Sequence, residues 1–219
     1  EAGEWGPGDA IPSEGELAAR FNVSQGTVRK AIDEMAAENL LIRRQGKGTF
    51  VASHDDPRSF YRFLRLVPDD GNAAQAVSVP LSCSTKNADA EVAAALGLKL
   101  GDPVIYVERL LRFNGETVVF DQIHLVSDLF AGLTLESLSG GDRSLYSLFE
   151  NDYGVRMIHA EEHLRAVAAD PYRAGLLAVQ SGSPLLLVER TAYTYGNKPV
   201  EWRRGLYCTN RHYYRNDLG

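Results

Sequence analysis

Apolar residues follow two different spacings along the chain, and the change of spacing predicts where helices and strands lie. Residues 60–67 form a mostly apolar segment whose alternate residues would lie on the two faces of a strand, and several strand-like segments follow. Near the start, apolar residues instead recur at the spacing of a helix face, first at Leu17, Ala18 and Phe21 and then at Val28, Ala31, Ile32 and Met35. The pattern predicts a short helical region followed by a longer region rich in strands.

A serine that can cap a helix precedes each of the two helical stretches. Ser13 is followed three residues later by Glu16, the spacing of a capping box, so the first helix is expected to begin at Glu14. Ser24 is a second N-cap candidate, and the next helix is expected to begin at Gln25. A helix, a turn and a second helix are typical of proteins whose second helix enters the major groove of DNA.

A basic hairpin is predicted after the second helix. Residues 41–44 and 49–51 have strand character, and the tip between them contains two glycines, which allow a tight turn. Between Arg20 and Phe50 there are six basic and three acidic residues, although the whole chain has a net charge of −6. This local positive charge indicates a confined contact with phosphate groups. The alternative is that the basic residues form only a solvated edge.

Three motifs of this region, at residues 11–14, 23–29 and 43–51, resemble the winged-helix domain of the GntR family of bacterial transcription regulators. The resemblance covers about residues 6–52 and implies a DNA-binding domain whose first helix is missing from this sequence. In this resemblance the basic hairpin is the wing. Together with the helix ends and this wing, the resemblance assigns DNA-binding roles to Ser13, Glu14, Ser24, Gln25, Thr27, Arg29, Lys30, Arg43, Arg44, Gly46 and Lys47.

The rest of the chain predicts an α+β domain with a largely antiparallel sheet. The pairs Asn114-Gly115 and Gly196-Asn197 are turn signals that favour hairpins. The polar segment 53–59 is expected to be a linker, so we predict domains at residues 1–52 and 60–219. Helices are expected at residues 88–98, 144–153 and 171–179, and strands at 60–67, 76–84, 104–113, 117–126, 156–167, 185–195 and 200–208.

One pattern occurs twice in this second region. Residues 101–103 and 182–184 each follow an alanine-rich helix and precede a strand that ends in Glu-Arg. Either the chain contains a duplicated helix–strand–hairpin–strand unit, or the turn residues coincide by chance. The pattern resembles the UTRA domain, the ligand-sensing domain of the HutC subfamily of GntR regulators. This resemblance implies a chorismate-lyase-like antiparallel sheet with flanking helices.

The resemblance to the UTRA domain also implies an effector site on facing strands. A hydroxyl at a helix start suits an anion, whereas carboxylates suit sugar hydroxyls or an amine. Leu111 stands where relatives that bind phosphosugars carry a second arginine, which favours a smaller, less charged or more apolar ligand. Carried over position by position, the resemblance assigns ligand-binding roles to Arg109, Asp121, Ser144, Tyr146, Glu201 and Tyr207.

Each of these ligand assignments has a purely structural alternative. Arg109 could pair with Glu108 or Glu189 on the sheet surface. Tyr146 and Tyr207 could be ordinary core aromatics. The residues alone leave both readings open.

Several function classes are disfavoured by what the sequence lacks. No run of 18 apolar residues and no signal peptide is visible, so we expect a cytoplasmic protein without membrane contact. Cys83 and Cys208 are expected to be free thiols, and the histidines show no metal-binding spacing. Neither a metal nor a cofactor is therefore expected.

The sequence predicts a ligand-responsive transcription regulator that is not an enzyme. In this interpretation it is a repressor that binds a palindromic double-stranded DNA operator as a homodimer. A small-molecule effector, either an anionic metabolite or a sugar-like compound, releases it. Two alternatives stay open at this point: a lyase-like enzyme on the same fold, although no nucleophile–base pair is visible, and a module whose winged helix contacts protein instead of DNA.

Overall fold

The computed structural model describes residues 4–55, 64–71, 76–140 and 143–216. The chain divides into two compact units, Glu1–Phe60 and Tyr61–Gly219. The first unit is mainly helical and the second is built on a β-sheet, so the fold is α+β, as predicted.

The first unit consists of two helices and a two-stranded hairpin. The helices are α1 (Glu14–Phe21) and α2 (Gln25–Ala37). Strands β1 (Leu41–Arg44) and β2 (Gly48–Val51) pair in antiparallel fashion. An isolated bridge between Ala10 and Phe50 adds a third extended segment beside β2. The predicted order of helix, turn, helix and wing is confirmed.

Both predicted N-caps are present. The Ser13 hydroxyl accepts from the Glu16 N–H at 3.3 Å, and the Glu16 carboxylate accepts from the Ser13 N–H at 2.8 Å, which completes a capping box. The Ser24 hydroxyl accepts from the Thr27 N–H at 3.1 Å. Between the two helices Asn22 adopts a left-handed conformation with φ of 54°, which turns the chain from α1 into α2.

The core of this unit is smaller than the sequence pattern predicts. Phe21 and Met35 are 58% and 45% exposed, and Ala31 is exposed as well. Helix α1 and strand β1 pack on one side of α2. Ala31 and Met35 of α2 stay exposed. Trp5 packs against the core, together with Ile11 and Val51. The buried residues are Leu17, Ala18, Val28, Ile32 and Leu41.

The second unit is organised around a six-stranded antiparallel sheet. Its strands are β4 (Ala76–Asn87), β5 (Pro103–Phe113), β6 (Glu116–Val126), β7 (His159–Ala168), β8 (Pro184–Thr194) and β9 (Lys198–Tyr207). Their order across the sheet is β4-β5-β6-β9-β8-β7.

The sheet has the symmetry of a duplicated unit. Helix α3 (Ala90–Leu96) connects β4 to β5, and helix α6 (Pro171–Leu177) connects β7 to β8. Asp89 and Asp170 cap these two helices in the same way. The two halves, β4-α3-β5-β6 and β7-α6-β8-β9, meet where β6 pairs with β9. This arrangement supports a duplication over a chance coincidence of turn residues.

Two further helices, two short strands and two 3-10 turns (Ser127–Phe130 and Tyr195–Asn197) complete the described part of this unit. Helix α4 (Leu135–Ser139) and strand β10 (His212–Tyr214) were not predicted from the sequence. Helix α5 (Leu145–Tyr153) begins after its N-cap Ser144. Strand β3 (Leu66–Pro68) pairs with β10 and falls at the end of the strand predicted at 60–67, of which residues 60–63 lie outside the described residues.

Helices pack on both faces of the sheet. Because successive residues of a strand point to opposite faces, Val104 packs in the cluster of α3 whereas Ile105 packs in the cluster of α5. Leu110, on the same face as Val104, packs in the cluster that includes α6. The face beneath α5 holds the polar residues described below.

Candidate DNA-binding surface and effector site

The N-terminal end of α2 presents polar and basic side chains to solvent. Gln25, Thr27, Arg29 and Lys30 are all exposed, whereas Val28 between them is buried. The hydroxyl groups of Ser24 and Thr27 lie 2.9 Å apart at the helix start. The geometry suits a recognition helix, whose N-terminal residues face base edges and phosphates.

Acidic side chains hold two of the predicted DNA-contacting arginines. Nη2 of Arg29 lies 2.8 Å from Oε2 of Glu14. Nη2 of Arg43 lies 2.8 Å from Asp33 and 3.4 Å from Glu14. The hydrogen bond from Arg29 holds the pKa of Glu14 below its usual value. These pairs are exposed and add little stability, but they bring the recognition helix and the wing together.

The wing tip turns through glycines with positive φ. Gly46 has φ of 72° and Gly48 has φ of 109°, conformations that L side chains rarely adopt. Lys47 lies exposed between them. Arg44 is half-buried, with its guanidinium 4.6 Å from the centre of the Phe50 ring. Lys47 is therefore the more accessible of these two predicted contacts.

In the sheet unit, Arg109 and Asp121 form a buried ion pair across β5 and β6. The two residues are direct partners in the strand register. Oδ2 of Asp121 accepts from Nε of Arg109 at 2.9 Å and lies 2.8 Å from its Nη2. Asp121 is fully buried and Arg109 is 7% exposed. Arg109 thus pairs inside the protein, and its alternative pairing with Glu108 or Glu189 on the sheet surface is wrong.

Glu201 on β9 joins Tyr146 on α5 to the same network. The Tyr146 hydroxyl donates to Oε1 of Glu201 at 3.0 Å. Burial, and then the Glu201 charge, raise the pKa of Tyr146 to about 12. The phenol therefore stays protonated at neutral pH and can act as a donor. Glu201 itself is fully buried.

Tyr207 and Ser144 lie at the site in different ways. Tyr207 is buried on β9, next to Gly205, which faces Asp121 in the register. The Ser144 hydroxyl caps α5 by accepting from the Ser147 N–H at 3.1 Å. Among the described residues, no side-chain hydrogen bond joins Ser144 to the Arg109–Asp121 pair. The structure brings together five of the residues predicted from the sequence, namely Arg109, Asp121, Tyr146, Glu201 and Tyr207. Ser144 lies two residues before Tyr146 in the chain.

Sequence reasoning missed four residues of this polar cluster. Arg203 bridges Asp121 and Glu201. Arg190 on β8 is 2% exposed, and its Nε donates to Oε1 of Glu162 on β7 at 2.6 Å. The Tyr214 hydroxyl donates to the other oxygen of Glu162. A usable signal was the two-residue spacing of Glu201 and Arg203, which places both side chains on one face of a strand.

The two cysteines lie in the described part of the chain. Cys83 and Cys208 are free thiols, as expected, and burial raises the pKa of both. No cluster of three or more potential metal ligands occurs among the residues that the structure describes.

A winged helix with an exposed basic helix end, followed by a sheet domain with a buried polar site, is the architecture of a transcription regulator with a ligand-binding domain. The chain belongs to the gntR family of bacterial regulatory proteins, whose model matches residues 1–51, and its residues 75–213 match the UTRA domain.

Three known proteins illustrate the similarity. HTH-type transcriptional regulator Rv0792c of Mycobacterium tuberculosis is 32% identical over 199 residues, 89% of this chain and 72% of that protein. HTH-type transcriptional repressor NagR of Bacillus subtilis is 26% identical over 215 residues, 96% of this chain and 86% of NagR. The ligand-binding domain of a GntR-family regulator from Bordetella bronchiseptica matches with a TM-score of 0.70 at 48% identity, covering 73% of this chain and 99% of that domain.

The protein is accordingly a ligand-responsive, DNA-binding regulator of transcription. GntR regulators bind DNA and UTRA domains bind small-molecule effectors. The family and the similar proteins are regulators, so the lyase-like alternative is not supported. In the described part of the chain, no helix is long and apolar enough to span a membrane.

Proposed function

We propose that the protein is a cytoplasmic repressor that binds a palindromic operator as a homodimer and is released by a small metabolite. Residues 1–52 bind DNA, residues 53–59 are a linker, and residues 60–219 bind the effector and dimerise. The observation that carries the proposal is the buried cluster of Arg109, Asp121, Tyr146 and Glu201 in the same chain as an exposed basic helix end. The similar protein NagR is named a repressor.

The recognition helix and the wing make the DNA contacts in this proposal. Base edges in the major groove are read from the start of α2, and the wing contacts phosphates beside it. Glu14 orients Arg29 and Arg43, to which it is paired. The proposed DNA-binding residues are Ser13, Glu14, Ser24, Gln25, Thr27, Arg29, Lys30, Arg43, Arg44, Gly46 and Lys47.

Release by the effector follows from a difference in affinity between two dimer geometries. Two recognition helices read half-sites about one helical turn, roughly 34 Å, apart. An effector that binds the geometry with misplaced helices more tightly weakens the operator complex. Coupling of this kind is typically about 1–3 kcal/mol. The proposed effector-binding residues are Arg109, Asp121, Ser144, Tyr146, Glu201 and Tyr207.

Replacing Arg29 tests the DNA-binding half of the proposal. Operator sequences would be enriched from random duplexes bound by the full chain, and binding would be measured by fluorescence anisotropy. Loss of a base or phosphate contact should cost about 1–3 kcal/mol, so Arg29→Ala should bind the enriched duplex roughly 5–150 times more weakly. Lys198→Ala is the matched control, since it removes one exposed positive charge from the sheet unit.

Equal affinities for the two variants would contradict the assignment of α2 as recognition helix. The same enriched sequences test symmetry, because a homodimer selects two inverted half-sites. Light scattering on the protein gives its mass in solution. A monomeric mass together with a single enriched half-site would refute the homodimer.

A further inference from the structure

The six-stranded sheet ends in two edge strands, β4 and β7, which differ in how open they are to another strand. On β4, Pro80 has no N–H to donate, and the register with β5 shifts between Pro80 and Ser82. Helix α4 also packs against β4. Prolines, bulges and covering helices keep an edge strand from pairing with another chain. The β4 edge is therefore protected.

Strand β7, by contrast, carries neither a proline nor a bulge. Its ten residues also lack glycine, and its register with β8 runs without a shift. Among the residues that the structure describes, the backbone of β7 makes no hydrogen bond to a backbone segment other than β8. An edge strand of this kind is a template for an added strand. The side of β7 away from β8 is therefore the side on which another chain can pair.

The side chains of β7 carry opposite charges on either side of His163. Glu161 lies two residues before it and Arg165 two residues after it, so all three point to one face of the sheet, where all are exposed. The Glu161 carboxylate accepts from the Tyr193 hydroxyl at 3.1 Å and has no ion pair within the described part of the chain. Arg165 pairs with Glu189, yet its side chain stays 59% exposed. Both charges are accessible to a second chain.

A second copy of the chain complements this edge when His163 lies on the two-fold axis. In a two-fold dimer the same surface of both copies meets, and residues at equal distances on either side of the axis lie opposite each other in antiparallel strands. Glu161 of each copy then faces Arg165 of the other. The dimer gains two opposite-charge pairs, and such directly opposite pairs stabilise a sheet.

Neighbouring positions of the axis lose this complementarity. An axis at Glu161, Glu162 or Arg165 places that charged residue opposite its own copy, and like charges directly opposite each other are destabilising. An axis at Leu164 places Glu161 opposite the apolar side chain of Val167. The charge pattern therefore favours one register, the register centred on His163.

We propose that β7 is the dimer interface and that the β7 strands of two copies pair in antiparallel fashion about His163. Backbone hydrogen bonds join the two sheets into one, and the pairs between Glu161 and Arg165 fix the register. This inference rests on the proposed homodimer and names the surface that forms it.

Charge reversal on the full chain tests the proposed pairs. In Glu161→Arg both positions of each pair are basic, and in Arg165→Glu both are acidic. Each variant should dimerise at least about tenfold more weakly than the native chain, because two attractive pairs become repulsive. Analytical ultracentrifugation over a range of concentrations measures this affinity. Glu136→Arg, which reverses an exposed charge on α4, is the matched control and should dimerise like the native chain.

A mixture of the two variants separates the interface from a folding defect. When Glu161→Arg meets Arg165→Glu, both cross-strand pairs again join opposite charges. An equimolar mixture should therefore dimerise within about threefold of the native affinity, although each variant alone does not. Circular dichroism confirms that both variants keep the native spectrum.

Cysteine cross-linking tests the position of the axis. Opposite residues of paired strands have Cβ atoms about 4.5–5.5 Å apart, so His163→Cys should form a disulfide between two copies under mild oxidation. Leu164→Cys is the matched control: it faces Glu162 of the second copy and should stay largely unlinked. Non-reducing electrophoresis separates the products, and the native chain, oxidised in parallel, gives the background from Cys83 and Cys208.

Three outcomes would overturn the inference: native dimer affinity in both charge-reversal variants, no association in the mixture of folded variants, or a disulfide in Leu164→Cys but not in His163→Cys. If the native chain is a dimer, each of these outcomes refutes the β7 interface and leaves the proposed function standing. A native chain that stays monomeric at all concentrations would instead refute the homodimer of the proposed function, and the β7 interface with it.

Discussion

Gly205 shows how a single missing side chain shapes the buried site. It lies on β9 directly opposite Asp121 on β6. A Cβ at this position would be 2.8 Å from Oδ1 of Asp121 and 2.8 Å from a ring carbon of Tyr207. Contacts that short do not occur in proteins without movement of one partner. The glycine therefore permits the carboxylate and the phenol ring to approach β9 closely.

Gly205→Ala should destabilise the protein because neither neighbour can move freely. Asp121 is held by two arginines and Tyr207 is buried. Overpacking of this kind costs about 1–3 kcal/mol, to be measured as a lower free energy of unfolding in urea. Gly175→Ala, in the middle of α6 with nothing within 4 Å of the new Cβ, is the control. It should be neutral or stabilising by about 0.5–1 kcal/mol; equal losses at both sites would contradict the argument.

At the scale of elements, polar side chains at helix starts explain why the positions of most helices could be predicted from the sequence. A side-chain oxygen at each of five N-caps accepts the backbone N–H of the residue three positions further along the chain; these caps are Ser13, Ser24, Asp89, Ser144 and Asp170. Since these caps use residues close in sequence, the helix starts could be read without the fold. Ser24 also belongs to the proposed DNA-binding surface, so the same side chain would contribute both to stability and to DNA binding.

Substitution of Ser24 can separate these two roles. Ser24→Ala removes the N-cap of α2 and should lower the free energy of unfolding by about 0.5–2 kcal/mol. Ser24→Asp keeps a capping oxygen but places a negative charge beside the proposed phosphate contact. We expect Ser24→Asp to unfold at a urea concentration near that of the native chain yet bind operator more weakly, as measured by anisotropy. Native affinity in a stable Ser24→Asp variant would remove Ser24 from the DNA surface.

At the scale of the whole molecule, the sheet unit contains all that a separate domain requires. Its six-stranded sheet and three hydrophobic clusters lie within the second unit. The crystal structure of a similar ligand-binding domain, from Bordetella bronchiseptica, matches 73% of this chain. The short strands β3 and β10 form a separate two-stranded sheet, although they lie at opposite ends of the unit in sequence.

The fragment Tyr61–Gly219 should therefore fold alone with one cooperative thermal transition, observable by circular dichroism. A second fragment ending at residue 208 lacks β10 and the hydrogen bond from Tyr214 to Glu162. It should melt at a lower temperature, because β3 loses its partner and Arg190 loses part of the support for its ion pair. A broad, non-cooperative melt of the longer fragment would show that the sheet unit depends on the winged helix.

Local chemistry determined much of this protein in advance. Helix caps, glycine turns and alternating residues act over a few positions, so the winged helix, most of the strands and the repeated unit could be predicted from the sequence. The aromatic and carboxylate positions of the proposed effector site also followed, through their resemblance to a known domain. The caps, turns and alternating residues depend on neighbours that the sequence places side by side.

Only the tertiary structure decided which side chains meet across the sheet. Arg203 bonds to Asp121, 82 residues away, because β9 lies beside β6. The exposure of Phe21 and Met35 depends on which elements pack against α1 and α2, not on their helical spacing. Strand β10 exists because β3 lies next to it. Contacts between distant segments arise from the order of strands, and no local pattern in the sequence records that order.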